Sequence, residues 1–122
     1  MIGYVTLGTN DLQRAAKFYD ELLALIGAKR LMEFPGAIVW GTSMKAPGLS
    51  VTKPFDGKAA TVGNGVMVAL TVDSKDKVDA VYKKAIALGA KDEGPAGPRG
   101  EHFYAGYFRD LDGNKLNVFC SG

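Results

Sequence analysis

Few residues in this sequence belong to the types that usually perform catalysis or bind metals. There is one histidine, His102, and one cysteine, Cys120. His102 lies in the segment GPRGEHFYAGYFRD, where a lone histidine is usually solvent-exposed or hydrogen-bonded, the alternative being a catalytic or ligand-binding role. A metal site there would need carboxylates such as Glu101, because no second histidine exists. Cys120 is expected on the helix-facing side of a strand, where a thiol is usually inert.

A polar residue inside an apolar segment is the second candidate. The segment DLDGNKLNVF at 110–119 begins with a tight turn at 112–114, because Gly and Asn accept positive φ. The residues after the turn alternate between polar and apolar, as in a half-buried strand. Asn117 therefore points away from the face that carries Leu116 and Val118. Its amide could form hydrogen bonds with a ligand on that other face.

These residues are positioned by a sequence that is written twice. The segment 4–29 aligns with 67–91, so that Tyr19 matches Tyr82, and each copy reads as a strand followed by an amphipathic helix. The two helices are predicted to begin after the capping residues Asp11 and Ser74. Three short strands follow each helix, at about 28–34, 37–42, 48–53, 90–95, 103–110 and 115–120.

The repeat predicts an α+β fold of two tandem βαβββ modules. We expect a single domain over 1–122, with modules at about 1–56 and 65–122 and a linker at 57–64. A half of about 60 residues is marginally stable alone, so the modules should form one unit. In the repeat, Trp40 aligns with Tyr107, and the pair is interpreted either as walls of a binding site or as core. Arg109 shares a strand face with Tyr107, where it would favour an anionic ligand or pair with Asp110 or Asp112.

The composition argues against nucleic acid and membrane as partners. Lys and Arg number 15 and Asp and Glu 13, and the charges are evenly spread. No apolar run approaches the roughly 20 residues that cross a bilayer, and we see no signal peptide. One cysteine excludes an internal disulfide and suits a reducing compartment. We therefore expect a cytoplasmic protein.

The doubled pattern, with LGTNDLQRAAKFYDELLALIGA early and FRDLDGNKLNVF late, resembles the vicinal oxygen chelate superfamily. That superfamily includes glyoxalase I, extradiol dioxygenases, fosfomycin-modifying enzymes and bleomycin-binding proteins. The resemblance covers nearly the whole chain and implies that the modules curl into a cup-shaped mixed sheet with helices outside. It also implies a homodimer, because such cups are often completed across a two-fold axis.

Enzymes that this sequence resembles hold a divalent metal in the cup through His, Gln and Glu on the first and last strands of the modules. The resemblance transfers those positions to Tyr4, Ser50, Met67 and Asn117. An alignment slip of one residue would instead give Gly3, Leu49, Val66 and Leu116. Neither set contains an imidazole or a carboxylate, which are the strong ligands of such sites. The resemblance therefore implies a cup with no metal cofactor, which is lined jointly by Tyr4, Ser50, Met67 and Asn117.

Three functions remain open. The first is metal-independent binding of a small molecule that has an apolar body and a neutral or anionic polar group. The second is a metal-dependent lyase, isomerase or transferase with atypical ligands, and the third is metal-free acid–base catalysis by Tyr4, His102 or Arg109. Bleomycin, a cationic drug, fits poorly with a chain of pI 8.7. We assign no catalytic residue, and the candidate ligand-binding residues are Tyr4, Trp40, Ser50, Met67, His102, Tyr107, Arg109 and Asn117.

Overall fold

A computed structural model describes all residues, Met1–Gly122, as eight strands and two helices. In chain order these are β1 (Tyr4–Gly8), α1 (Leu12–Ala24), β2 (Lys29–Phe34), β3 (Ala37–Gly41), β4 (Gly48–Thr52), β5 (Val68–Thr71), α2 (Lys75–Ala87), β6 (Lys91–Pro98), β7 (Phe103–Arg109) and β8 (Lys115–Ser121). The predicted α+β fold of two βαβββ modules is confirmed. The largest difference in bounds is at β6, which continues past residue 95 because register shifts around Gly94 keep it paired with β7.

The chain divides into two compact units, Met1–Val62 and Gly63–Gly122. The boundary falls within the segment 57–64 that the sequence predicts as a linker. The part of this segment before the boundary is tied to the first unit, because Ala60 donates its backbone N–H to Asn10 Oδ1 at 2.7 Å and accepts from Asn10 Nδ2 at 3.3 Å.

Each unit contains one four-stranded mixed sheet, and neither sheet is a closed barrel. The strand orders are β1-β4-β3-β2 and β5-β8-β7-β6. The first and last strands of each module pair in parallel, and the remaining neighbours are antiparallel. The last strand of a module therefore lies inside its sheet, which places Ser50 and Asn117 in the middle of their sheets.

Both helices begin after the capping residues that the sequence predicts. The side chains of Asp11 and Ser74 each accept the backbone N–H three residues further on, at 3.1 Å. Such caps satisfy amide groups that have no partner within the helix. Gly27 and Gly89 follow the helices with φ of 78° and 102°, values that favour glycine. Neither helix has the length and hydropathy needed to span a bilayer.

The core of each unit lies between its helix and one face of its sheet. In the second unit, α2 lies so close to β7 that a Cβ on Gly106 would come within 2.9 Å of the Tyr82 ring. The opposite side of this sheet is called here the helix-free face of the second sheet. By strand register it is formed by Ala69, Thr71, Gly94, Gly97, Phe103, Ala105, Tyr107, Arg109, Lys115, Asn117 and Phe119.

Candidate ligand-binding site

Asn117 is a buried polar residue at the centre of the helix-free face of the second sheet. It lies opposite Ala69 of β5 on one side and opposite Tyr107 of β7 on the other. Only 2% of the residue is exposed, and no group of the protein donates a hydrogen bond to its Oδ1. Most buried polar atoms in proteins have a partner, and exceptions often occur at functional sites. This face therefore contains an acceptor that lacks a donor.

Aromatic rings surround this amide on the same face. Phe103 and Phe119 stack with ring centroids 5.1 Å apart and ring planes at 19°. Phe119 is two residues from Asn117 along β8, and Phe103 is on the same side of β7 as Tyr107. The rings provide an apolar surface against which the body of a small molecule can bind.

Two cationic side chains approach the ring of Tyr107. The guanidinium carbon of Arg99 lies 5.5 Å from the ring centroid, and Lys115 Nζ lies 5.7 Å from it. Both distances are within the range of cation–π attraction. Neither cation forms an ion pair with a carboxylate. Arg99 could not be predicted as a site residue from the sequence, because it follows a proline in a turn and nothing in its spacing places it near Tyr107.

Arg109 makes a different contact from the two that the sequence offered. Its Nε donates to Glu93 Oε1 at 2.6 Å, and its Nη1 donates to the Gly113 carbonyl at 2.9 Å. The hydrogen bond from Arg109 is the main cause that holds the pKa of Glu93 below its usual range. The predicted pairing with Asp110 or Asp112 is wrong, because Asp110 instead accepts backbone N–H groups within its own turn. The charge of Arg109 is therefore already compensated.

In the first sheet, Ser50 holds the position that corresponds to Asn117. It lies between Thr6 of β1 and Val39 of β3 and is 4% exposed. Tyr4, at the start of the neighbouring strand, is 67% exposed.

Met67 immediately precedes β5 in the second sheet and is 41% exposed. By parity it lies on the same side of the sheet as Ala69, the neighbour of Asn117. That one cup unites the four positions Tyr4, Ser50, Met67 and Asn117 stays a prediction.

Trp40 lies on the helix-facing side of the first sheet, away from the face of Ser50. It is 1% exposed, its ring contacts Tyr19 of α1, and its Nε1 donates to Asp20 at 2.9 Å. The predicted alignment of Trp40 with Tyr107 is wrong. Trp40 pairs with Leu49 and Phe108 pairs with Leu116, so these two core aromatics are the corresponding residues. The cause is the β3–β4 connection, 42–47, which is one residue longer than the β7–β8 connection, 110–114.

His102 lies in the turn between β6 and β7, and 81% of its side chain is exposed. Its Nε2 is 3.9 Å from Glu101 Oε2, a long contact between two exposed groups. It borders a small cavity of about 50 Å³ that Lys75, Tyr104 and Cys120 also line. Tyr104 contacts Asp79 of α2, and Phe103 also lines the cavity, so the cavity lies at the start of β7, four residues along that strand from Tyr107, the neighbour of Asn117.

The available donors do not fit a catalytic divalent metal. No three His, Cys, Asp or Glu side chains lie close enough to hold a metal ion together. The four positions that resemblance assigns to metal ligands offer a phenol, a hydroxyl, a thioether and an amide. These are weak or soft ligands compared with imidazole and carboxylate.

Comparisons with known proteins agree with this architecture. The sequence profile of the Glyoxalase/Bleomycin resistance protein/Dioxygenase superfamily matches residues 1–118. A glyoxalase/bleomycin resistance protein from Albidiferax ferrireducens T118 is 33% identical, with a TM-score of 0.90, over 98% of this chain and 97% of that one. No curated protein matches the sequence.

Two structures of lower identity share the fold. The fosfomycin resistance protein FosX from Mesorhizobium loti is 16% identical, with a TM-score of 0.72, over 100% of this chain and 92% of that one. A lactoylglutathione lyase from Agrobacterium tumefaciens is 22% identical, with a TM-score of 0.69, over 98% and 92%. The chain therefore belongs to the glyoxalase/bleomycin resistance/dioxygenase superfamily, as the resemblance implied.

Proposed function

We propose that this protein binds a small molecule on the helix-free face of the second sheet without the help of a metal ion. The ligand has an apolar body and a neutral or anionic polar group. The observation that carries the proposal is the buried Oδ1 of Asn117, which has no donor.

The unpaired Oδ1 of Asn117 makes the folded protein less stable than it would be with a bound donor. A buried acceptor without a partner costs about 1–3 kcal/mol relative to one that is hydrogen-bonded. A ligand hydroxyl or amide N–H directed at Asn117 would recover this free energy, and its apolar body would cover Phe119 and Phe103. Binding would then be driven jointly by apolar burial and by one oriented hydrogen bond.

The donor chemistry supports a site that works without metal. Family enzymes that this chain resembles place Glu at the position of Asn117, and an amide cannot supply the negative charge that such a carboxylate gives to a divalent cation. The proposed binding therefore requires no metal ion. The metal-dependent alternative is supported by the fold alone, since the fold hosts many functions.

Metal-free acid–base catalysis has less support from the geometry. The guanidinium of Arg109 is engaged by Glu93, and His102 is an exposed turn residue. A general acid or base must lie within hydrogen-bond reach of the reacting group. The contacts around these two residues do not point to such a shared position.

A fragment screen on ¹⁵N-labelled protein tests the proposal. Bound fragments should shift the backbone resonances of Ala69, Tyr107 and Asn117 together. The variant Asn117→Val should weaken these fragments about tenfold, by loss of one hydrogen bond worth about 1.4 kcal/mol. Asn64→Val, at an exposed turn, is the matched control. Fragments that bind Asn117→Val as tightly as the natural protein would refute the proposal.

The metal content of the purified protein tests whether binding is independent of metal. Elemental analysis of protein purified without a chelating column should find less than one divalent metal ion per chain. Stoichiometric Zn, Ni, Mn or Fe would refute the metal-independent reading.

We also propose a cytoplasmic homodimer. Family members often dimerise, and the exposed Tyr4, Met32 and Phe34 on the helix-free side of the first sheet support burial by a second copy. The single cysteine supports a reducing compartment.

A further inference from the structure

We propose that Arg99 and Lys115 form an anion-binding site beside the Tyr107 ring, which makes the ligand a carboxylate or phosphate that carries an apolar body. This inference rests on the proposed binding function and narrows it, because it excludes a neutral ligand. It also transfers the anion-recognising role from Arg109, which the sequence suggested, to Arg99.

The guanidinium of Arg99 is held against the sheet by the shape of β6. Nη2 donates to the Pro95 carbonyl at 2.7 Å, and Nη1 donates to the Pro98 carbonyl at 3.2 Å. A Cβ on Gly94 or Gly97 would lie only 3.3 or 3.4 Å from the guanidinium nitrogens. The two glycines therefore leave the space in which this side chain lies over the strand.

This arrangement leaves most of the donors of Arg99 available. A guanidinium has five N–H groups, and two of them are used by the proline carbonyls. The remaining three suit the bidentate recognition of a planar carboxylate or a phosphate. Because the side chain is already positioned, little conformational entropy is lost when an anion binds.

The surrounding charges also favour an anion. Glu93 is the carboxylate of this region, and it is paired with Arg109 at 2.6 Å. Its pKa is lowered chiefly by that hydrogen bond, and the positive charges of Lys115 and Lys91 lower it further. Arg99 and Lys115 have no carboxylate of their own. The positive charges near Tyr107 therefore outnumber the one carboxylate, and the local potential favours an anion.

The aromatic rings and the amide complete the description of the ligand. Tyr107 lies directly opposite Asn117, so a ligand whose anionic group is beside this ring could direct a separate hydroxyl or amide donor at the unpaired Oδ1. The stacked Phe103 and Phe119 extend the same face. An aromatic or branched apolar acid with a hydroxyl or amide donor matches all three features.

A purely structural role for Arg99 is the competing explanation, since its contacts could simply fix the bulged β6. Binding of a matched pair of probes, phenylacetate and its neutral methyl ester, which lacks a hydrogen-bond donor for Asn117, separates the two explanations. We expect the natural protein to bind the carboxylate about tenfold more tightly than the ester, which corresponds to about 1.4 kcal/mol. Added NaCl should weaken the binding of the carboxylate only, because salt screens the attraction between opposite charges.

Substitutions at Arg99 and Lys115 test whether these two residues cause the preference for the carboxylate probe. Arg99→Gln should bring the affinity ratio of the two probes close to one, and Arg99→Lys should leave part of it. Lys115→Gln removes the second cation without changing the contacts that hold β6, so it tests the site even if Arg99→Gln folds poorly. Arg14→Gln, on the exposed side of α1, is the control and should keep the full ratio.

The outcomes separate this inference from the proposed function. Equal binding of the two probes to the natural protein overturns the anion site and leaves small-molecule binding intact. An unchanged ratio in both Arg99→Gln and Lys115→Gln overturns the assignment to these residues. Absence of any binding of either probe at about 5 mM, a concentration at which even weak complexes with a Kd near 1 mM form, overturns both proposals.

Discussion

Replacing Asn117 by valine should stabilise the unliganded protein, although the same change should weaken ligand binding. The residue is 2% exposed and its Oδ1 has no hydrogen-bond donor, so the folded state carries the desolvation cost of that atom. Removing it should recover about 1–3 kcal/mol. Valine also prefers strands, on a scale that spans about 1 kcal/mol.

One opposing contribution must be subtracted. Valine is slightly larger than asparagine, and excess volume in a well-packed site costs about 1–3 kcal/mol when neighbours cannot adjust. The neighbouring Tyr107 is only partly buried and can adjust. The net expectation is a gain of about 1 kcal/mol, which for a chain of 122 residues raises Tm by roughly 3–5 °C.

Thermal unfolding and urea titration at one protein concentration measure this difference. The concentration must be fixed, because association would itself raise Tm. Asn64→Val, which changes an exposed asparagine, should leave Tm within about 2 °C, as surface substitutions usually do. A Tm that falls by several degrees in Asn117→Val would mean that Oδ1 is hydrogen-bonded in the folded protein. Asn117 would then not be an unsatisfied acceptor, and the proposed binding function would lose its main support.

Two further predictions concern the framework that surrounds the site. Hydrogen bonding from Arg30 is the main cause that lowers the pKa of Asp20 below its ordinary value of 3.8. A carboxylate whose pKa is lower in the folded state stabilises that state at pH values above the unfolded-state pKa. This stabilisation is lost as pH falls through the folded-state pKa. Asp20→Asn should therefore cost at most about 1 kcal/mol at neutral pH, since the pair is partly exposed, and less near pH 3; equal costs in urea titrations at both pH values would contradict this. Gly106→Ala should cost about 1–3 kcal/mol in urea unfolding, because the new Cβ meets Tyr82 at 2.9 Å; Gly36→Ala, with nothing within 4 Å, is the control, and equal losses would refute the close approach.

The local elements could be predicted because their signals are local. Asp11 and Ser74 cap their helices through their own side chains, and Gly27 and Gly89 end them through their own φ values. The internal repeat then predicted the same succession of elements, βαβββ, for both modules. These features depend on residues a few positions apart, which a sequence shows directly.

Two features of the structure could not be predicted from the sequence, namely the lengths of the strand connections and the positions of long side chains. Trp40 was aligned with Tyr107 because a constant offset ignores the extra residue in the β3–β4 connection, and one residue moves a side chain to the other face. Arg99 was missed because its position depends on the irregular path of β6 around Gly94 and Gly97. Neither the length of a hairpin relative to its repeat nor the path of an arginine side chain is visible as periodicity.

The close approach of α2 to β7 has a consequence for the motions of the second sheet. β7 is hydrogen-bonded to a strand on each side, and at Gly106 it is also held by the ring of Tyr82. Its amides can therefore exchange with solvent only through openings that separate helix from sheet, which places them among the slowest-exchanging groups of the chain. Tyr107 is the next residue along, so its ring projects from one of the least mobile backbone segments, whereas Arg99 follows the irregular β6.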